Sequence, residues 1–262
     1  MVLKTLNVEY EINGKTATWS KNDDDIVNFT EFGVGDSFCF KIDTANEKSG
    51  LIFCKSGRYE LQTFSGKKIE KDVTIPEPFE ITGSWTVQFP IKGTVKEVIF
   101  DKLISWSDSP DEAVKYFSGT AIYQKKFNVP KDFPIQRQRV FLDLGRVNEI
   151  AVVKVNGKEQ GVLWTLSKTV DITDVLKPDA ENVLEIQATN LWCNRLIGDA
   201  HLPQDKERQP NGTLSAWPEW LQKGQPDPYG RETFCMRNLW KKDDALQSSG
   251  LLGPVQIMIT GY

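Results

Sequence analysis

The sequence of 262 residues contains a single histidine, His201, and only three methionines. One histidine is too few for a multi-histidine metal site, and any Ser-His-Asp or Cys-His catalytic arrangement would depend on that one residue. The four cysteines, Cys39, Cys54, Cys193 and Cys235, form no CxxC pair. They are also too few for a disulfide scaffold in a chain of this length, so we predict buried free thiols.

Long hydrophobic runs and an excess of one charge are also missing. No segment approaches the ~20 apolar residues of a membrane span, and no basic region followed by an apolar region opens the sequence. The net charge is -4, with lysines and arginines scattered among the acids. Because no basic stripe is available to follow a phosphate backbone, we expect neither nucleic acid nor a membrane as a partner.

Period-two alternation, by contrast, is abundant. Apolar Leu6, Val8 and Tyr10 alternate with polar neighbours, and Asn13-Gly14 follows, which is typical of a β-hairpin. Similar segments recur to the end of the chain, and no extended 3.6-residue pattern competes with them. The sequence therefore predicts an all-β protein.

A proline-rich segment divides the chain. Ile75-Pro76-Glu77-Pro78 carries two prolines that cannot donate to a strand ladder. We interpret it as an extended linker between a small β-sandwich-like domain (1–78) and a larger jelly-roll β-sandwich (79–262). Within the larger domain, residues 194–249 form a long Trp-rich loop, here called the excursion. We expect it to be ordered, because its aromatic side chains can bury large areas.

Several motifs resemble known carbohydrate-active proteins. Between Gly83 and Gly161, the order GSW, YFSGTAIYQKKFNVP, RVFLDLGRV and VKVNGKEQG is similar to the sugar-binding domain of family 2-type glycoside hydrolases. FSGTAIY at 117–123, NLWCNRLIGDAHLP at 190–203 and SGLLGPV at 249–255 resemble the C-terminal portion of family 106 α-L-rhamnosidases. The likeness covers roughly residues 79–262.

This resemblance implies a galactose-binding-like fold for the larger domain and a periplasmic or secreted location. Family members are much longer, with catalytic machinery mainly in a barrel-like domain, and this sequence lacks the βα alternation of such a barrel. No catalytic residue is therefore carried over. The leading hypothesis is an ancillary, non-catalytic carbohydrate-binding-like region, whose partners are the catalytic domain of the same parent chain and carbohydrate, including rhamnose-containing glycans. An autonomous carbohydrate-binding module and a free-standing glycoside hydrolase are the alternatives.

Candidate sugar-binding residues lie in the excursion. A sugar ring packs its apolar side on an aromatic face, while amides and carboxylates bind its hydroxyls. Trp85 and Trp106 are expected to fill the sandwich instead. Structural ion pairs and backbone caps are the favoured interpretation of the polar candidates. The carbohydrate-binding candidates are Asn194, Arg195, Asp199, His201, Trp217, Trp220 and Trp240.

Acidic residues in the excursion provide weaker candidates for catalysis or metal binding. Glycoside hydrolysis needs two carboxyl groups about 5 to 10 Å apart, whereas loop acids are usually solvated. We interpret these acids as solvated loop residues or turn formers: Asp199, Asp205, Glu207, Glu219, Asp227 and Glu232. The run Asp23-Asp24-Asp25 lacks the glycine and ligand spacing of an EF-hand. We predict no cofactor, and a structural calcium ion held by backbone carbonyls stays open.

Overall fold

The structure is a computed structural model. It describes residues 5–12, 15–22, 40–43, 50–53, 56–62, 68–130, 138–164, 168–203, 208–237 and 239–260. The Asn13-Gly14 turn, the Asp23–Asp25 run, Cys39, Cys54, Asp205 and Glu207 lie outside these residues.

Three antiparallel hairpins occupy the first part of the chain, pairing β1 with β2, β3 with β4 and β5 with β6. Their strands are β1 (Thr5–Ile12), β2 (Lys15–Asn22), β3 (Phe40–Asp43), β4 (Gly50–Phe53), β5 (Gly57–Gln62) and β6 (Lys68–Val73). Residues 74–78 form neither helix nor strand. Ser56 Oγ accepts a hydrogen bond from Ile75 N at 2.8 Å, which ties this segment to the hairpins. The division into two domains stays a prediction.

The rest of the chain is built mainly from strands, with three short helices. The strands are β7 (Phe79–Glu80), β8 (Trp85–Ile91), β9 (Thr94–Phe100), β10 (Thr120–Asn128), β11 (Val140–Asp143), β12 (Arg146–Asn148), β13 (Ile150–Val155), β14 (Lys158–Leu163), β15 (Thr169–Asp171), β16 (Glu181–Thr189), β17 (Gly250–Gly253) and β18 (Gln256–Ile259). The helices are α1 (Glu112–Lys115), α2 (Cys193–Asp199) and α3 (Glu219–Gln222).

Two antiparallel sheets enclose the core. The larger has the order β14-β13-β16-β10-β8-β9, and the smaller has the order β15-β11-β18-β7. In β16, Leu184, Ile186 and Ala188 are fully buried, as the alternation of a strand with one covered face requires. They join Leu142 and Ile257 of the smaller sheet in a single buried cluster. The predicted all-β, sandwich-like fold is confirmed.

Aromatic side chains fill the centre of this core, where Trp85 and Trp106 are both buried, as predicted. The indole Nε1 of Trp106 donates to Tyr123 Oη at 2.5 Å, and the backbone N of Leu251 donates to the same oxygen at 3.1 Å. Burial raises the pKa of Tyr123 far above its ordinary value, because the phenolate would lose its hydration. The hydroxyl therefore stays neutral and links β10 to β17.

Tight turns close two of the hairpins. Asn156 and Gly157 have φ values of 52° and 79°, the pair of positive angles that a two-residue turn between twisted strands needs. This confirms the turn predicted from Asn-Gly. Lys92 and Gly93, with φ values of 48° and 78°, form a similar turn between β8 and β9. In the described part of the chain, no helix is both long and apolar enough to cross a membrane.

Candidate functional site

The excursion connects β16 to β17 and contacts one end of the sandwich. Just before it, Asn190 Oδ1 accepts from Gly119 N at 3.0 Å, and Asn190 Nδ2 donates to Phe117 O at 2.9 Å. Asn190 thereby fixes the point at which the chain leaves the sheet.

Helix α2 begins the excursion, where the sequence had predicted a loop. The Asn194 side chain in its first turn is buried. Its Nδ2 donates to Gln247 O at 2.7 Å and to Ser249 Oγ at 3.0 Å, and its Oδ1 accepts from Gln247 N at 2.8 Å. Asn194 therefore fastens the start of the excursion to its end, and its amide groups are used within the protein.

Asp199, at the end of α2, joins this helix to a second distant segment of the excursion. Its Oδ2 accepts from Glu232 N at 3.1 Å, from Thr233 N at 2.9 Å and from Thr233 Oγ1 at 2.7 Å. Arg195 Nη2 lies 3.0 Å from Asp199 Oδ1, and Arg195 Nη1 lies 3.4 Å from Glu232 Oε1. Lys92 Nζ is 3.6 Å from that same Oε1. This network joins α2, residues 232–233 of the excursion and the β8-β9 turn.

Two excursion acids are buried: Asp199, at the end of α2, corrects its interpretation as a solvated loop acid or turn former, whereas Asp227 forms a turn, as that interpretation allows. The side chains of Asp199 and Asp227 are only 5% and 4% exposed. A buried carboxylate needs partners to replace its lost hydration. Asp227 has them in Arg231 Nη1, at 3.4 Å from its Oδ2, and Tyr229 N, which donates to its Oδ1 at 2.7 Å. Glu219 is 77% exposed and does fit the solvated interpretation.

His201 follows α2 and lies on the surface. Its Nε2 is 3.4 Å from Tyr116 Oη, and the Arg195 guanidinium lies 5.9 Å from the centre of the same tyrosine ring. His201, Arg195 and Tyr116 thus form one polar surface cluster.

The exposed aromatic surface of the excursion centres on Trp217 and Phe234, which we call the aromatic shelf. Trp217 is 56% exposed, and its ring stacks on Phe234 with centroids 5.6 Å apart and planes 27° apart. Trp220 is half-buried and supports Phe234 edge-on at 6.0 Å. Trp164 is more exposed, at 71%, but within the described residues no second aromatic ring stacks on it.

Two small cavities lie beside the aromatic shelf. The first, of about 60 Å³, is lined by Asp199, Arg208, Arg231, Arg237 and Trp240, among others. The second, of about 40 Å³, is lined by Trp220, Phe234 and Asp227, and it shares Arg208 and Arg231 with the first. The first cavity therefore brings Asp199 and Trp240 together, and the second brings Trp220 together with Phe234, on which Trp217 stacks. Asn194 lines neither cavity and bonds instead to Gln247 and Ser249, and His201 belongs to the cluster around Tyr116.

Sequence reasoning missed Phe234 and the arginines around the cavities. Arginine recurs in the excursion at positions 195, 208, 231 and 237. Arginine is the residue that binds carboxylates in two-pronged pairs, so its recurrence was an available signal. Which arginines share a cavity depends on contacts between distant segments, which the sequence does not display.

Cysteines and acids in the excursion do not assemble a metal site. Within the described ranges, no group of three or more His, Cys, Asp or Glu side chains could hold a metal ion. Cys193 is a buried free thiol that donates to Gln247 Oε1 at 3.0 Å, as predicted. Cys235 is also free, but it is only half-buried and lines both cavities.

Comparison with known proteins relates the chain to parts of larger glycoside hydrolases. No protein-family model matches it. It is 43% identical over 205 residues to a protein of Formosa agariphila named "Putative beta-glucuronidase"; the match covers 78% of this chain and 18% of that protein. A rhamnosidase from Novosphingobium sp. PP1Y superposes with a TM-score of 0.55 at 24% identity, over 80% of this chain and 21% of the rhamnosidase.

A weaker structural match is a β-D-glucuronidase from Dictyoglomus thermophilum, with a TM-score of 0.39 at 20% identity over 46% of this chain. A score of that size does not establish a shared fold. The rhamnosidase match does, so this chain has a glycoside-hydrolase-related fold. The chain spans about a fifth of the length of the proteins that it matches.

Proposed function

We propose that this chain is an ancillary, non-catalytic region of a glycoside-hydrolase-related protein, resembling the C-terminal portion of α-L-rhamnosidases, and that it contacts carbohydrate through the aromatic shelf. The observation that carries the proposal is the exposed Trp217–Phe234 stack, whose Phe234 lines a small cavity together with Arg208, Arg231 and Asp227. Aromatic faces with nearby polar groups are what a pyranose ring needs. The small share of each relative that the chain covers supports the ancillary role.

The acids of the excursion also favour a non-catalytic role. Asp199, Asp227, Glu219 and Glu232 each lie in an ion pair with an arginine or a lysine. In glycoside hydrolysis, one of the two carboxyl groups must begin the reaction protonated. Ion-paired carboxylates instead suit a structural role, which the backbone hydrogen bonds to Asp199 and Asp227 also indicate.

Calorimetry with rhamnose-containing oligosaccharides tests the sugar contact. Trp217→Ala removes half of the shelf without opening the core, so we expect roughly tenfold weaker binding, the size of one good aromatic contact. Trp164→Ala is the matched control, because it removes another exposed tryptophan and should leave binding unchanged. Equal binding by the wild-type chain and Trp217→Ala would refute the proposed role of the shelf.

Turnover of an aryl α-L-rhamnoside by the purified chain tests the non-catalytic role. We expect none. Turnover that disappears in Glu219→Gln or Glu232→Gln would instead establish a free-standing hydrolase. An autonomous carbohydrate-binding module is the second candidate, and the exposed shelf favours it. It requires that the chain bind sugar as tightly alone as within the parent protein, which calorimetry on both proteins decides.

A further inference from the structure

Three of the four arginines of the excursion line the wall of the first cavity. Arg208, Arg231 and Arg237 line the cavity of about 60 Å³, and Asp199 is the carboxylate that lines it among the residues the structure describes. A space of this size holds roughly four to six water molecules. It is too small for a sugar ring, but it accommodates a carboxylate or sulfate group and a few waters.

Two of these arginines are held rigidly by the protein itself. Arg208 Nη1 donates to Gly212 O at 3.0 Å and to Met236 O at 3.2 Å, and its Nη2 donates to Cys235 O at 3.1 Å. Arg231 Nη2 donates to Leu202 O at 3.0 Å and also to Pro203 O. Arg231 Nη1 also lies 3.4 Å from the buried carboxylate of Asp227, so the protein itself balances the charge of Arg231.

Arg237 differs from both. Arg237 is exposed, and its backbone forms an isolated antiparallel β-bridge with Thr213. Among the described residues, no hydrogen bond or ion pair engages its guanidinium. An arginine in this state can form a two-pronged pair with an incoming anion at little cost in rearrangement.

Asp199 adds an acceptor to the same wall. Its Oδ1 is buried and lies 3.0 Å from Arg195 Nη2, and it accepts no hydrogen bond from the described residues. A buried acceptor in this state gains from a hydroxyl donor. The second cavity shares Arg208 and Arg231 with the first and is also lined by Phe234, on which Trp217 stacks.

We infer that the site binds an acidic saccharide: one sugar ring lies on the aromatic shelf, its carboxylate or sulfate group pairs with Arg237, and a hydroxyl donates to Asp199 Oδ1. This inference rests on the proposed sugar-contacting function and adds the class of sugar. Arg208 and Arg231 act as positioning residues, because their hydrogen bonds to backbone carbonyls hold the cavity lining rigid.

The test compares matched oligosaccharides by calorimetry: uronate-containing ones before and after carboxyl reduction, and sulfated ones before and after desulfation. We expect about tenfold weaker binding once the preferred anionic group is removed, the size of one charge-assisted pair. The pair of probes that shows this loss identifies the anion as carboxylate or sulfate. Arg237→Ala should abolish the difference, and Arg237→Lys should retain part of it, because lysine is a point charge without the two-pronged geometry.

Lys158→Ala is the control, since Lys158 is another exposed cation, located in the β13-β14 hairpin. It should leave the preference unchanged, and raising the salt concentration should weaken acidic binding in the wild type but not in Arg237→Ala. Equal binding of acidic and neutral probes would overturn the inference while leaving the proposed function intact. An acidic preference that survives Arg237→Ala would also overturn it, and binding of no probe at all would overturn both.

Discussion

The sandwich and the excursion are ordered by different forces. In the sandwich, inward side chains from two sheets meet in one apolar cluster, and burial of that apolar surface is the main stabilising contribution. In the excursion, single polar side chains hold backbone segments that are distant in sequence, as Asn194 holds Gln247 and Asp199 holds Thr233. The comparison shows that a few polar contacts can order a long connection when each contributes strongly to its stability.

These two kinds of order respond differently to substitution. An apolar core shares its energy among many contacts, so single losses are partly absorbed, whereas a buried polar group that loses its partner incurs the full desolvation cost. The excursion should therefore open locally while the sandwich stays folded. Three substitutions or conditions can break or sharpen this contrast.

Gly250→Ala should have the largest effect, because it disturbs the aromatic centre of the sandwich. Gly250 has a φ of 86°, and an added Cβ would lie 2.3 Å from Trp106 Nε1 and 2.7 Å from Tyr123 Oη. We expect a loss of about 3–5 kcal/mol in the free energy of unfolding, from overpacking and from the positive φ together. Urea unfolding followed by tryptophan fluorescence measures it.

The matched control is Gly93→Ala, since Gly93 has a similar φ of 78° but no atom near the added Cβ. It should cost only about 1–2 kcal/mol, from backbone conformation alone. Equal losses for the two variants would show that the aromatic centre is not tightly packed around Gly250.

Asp199→Ala should have a large but local effect. It removes the acceptor for two backbone amides and leaves Arg195 without its buried partner, at a local cost of about 3 kcal/mol. Limited trypsin digestion should cut faster after Arg231 and Arg237, while hydrogen exchange in β10 and β16 stays as in the wild type. Asp243→Ala, at an exposed loop acid, should change neither. Loss of protection in β10 and β16 would mean that the two regions unfold together.

Acidification should have the smallest effect. The hydrogen bond from Lys96 lowers the pKa of Asp111 below its ordinary value of 3.8. The folded state therefore binds protons less readily, and the stability from this pair is complete above the unfolded-chain pKa and is lost as the pH falls through the lowered folded pKa.

Asp111→Asn checks this pair, because asparagine keeps the helix cap that Asp111 provides to Ala113 N but loses the charge. The free energy of unfolding, measured from pH 6 to pH 3, should fall less steeply in this variant. An unchanged slope would assign the acid sensitivity to other groups such as Glu185, whose pKa is lowered chiefly by a hydrogen bond from Gln187.

Strands were predictable where alternation was clear, as in β10, β13 and β16, and short strands such as β12 and β15 were not. A strand of three residues carries too few alternating positions to register as a pattern. Helix α2 was missed for a related reason. Its seven residues are too few to be stable by propensity alone, and its side chains Asn194 and Asp199 bond to residues 53 and 34 positions away.

The candidate site was predictable only in part. Exposed Trp217 in a long aromatic loop follows from composition, and its likeness to a sugar-binding surface could be proposed from residue type alone. The burial of Asp227 and the placement of Arg237 beside Asp199 could not, because both depend on how residues 199–240 fold back on themselves.

Local alternation, turn chemistry and the large tryptophans were enough to determine that this chain forms a β-sandwich with a long aromatic connection. These features act between neighbours along the chain, so a reader of the sequence can find them. Only the tertiary structure decided which polar side chains became structural ties and which arginines share one cavity. Those outcomes depend on pairing between distant segments, which no local pattern encodes.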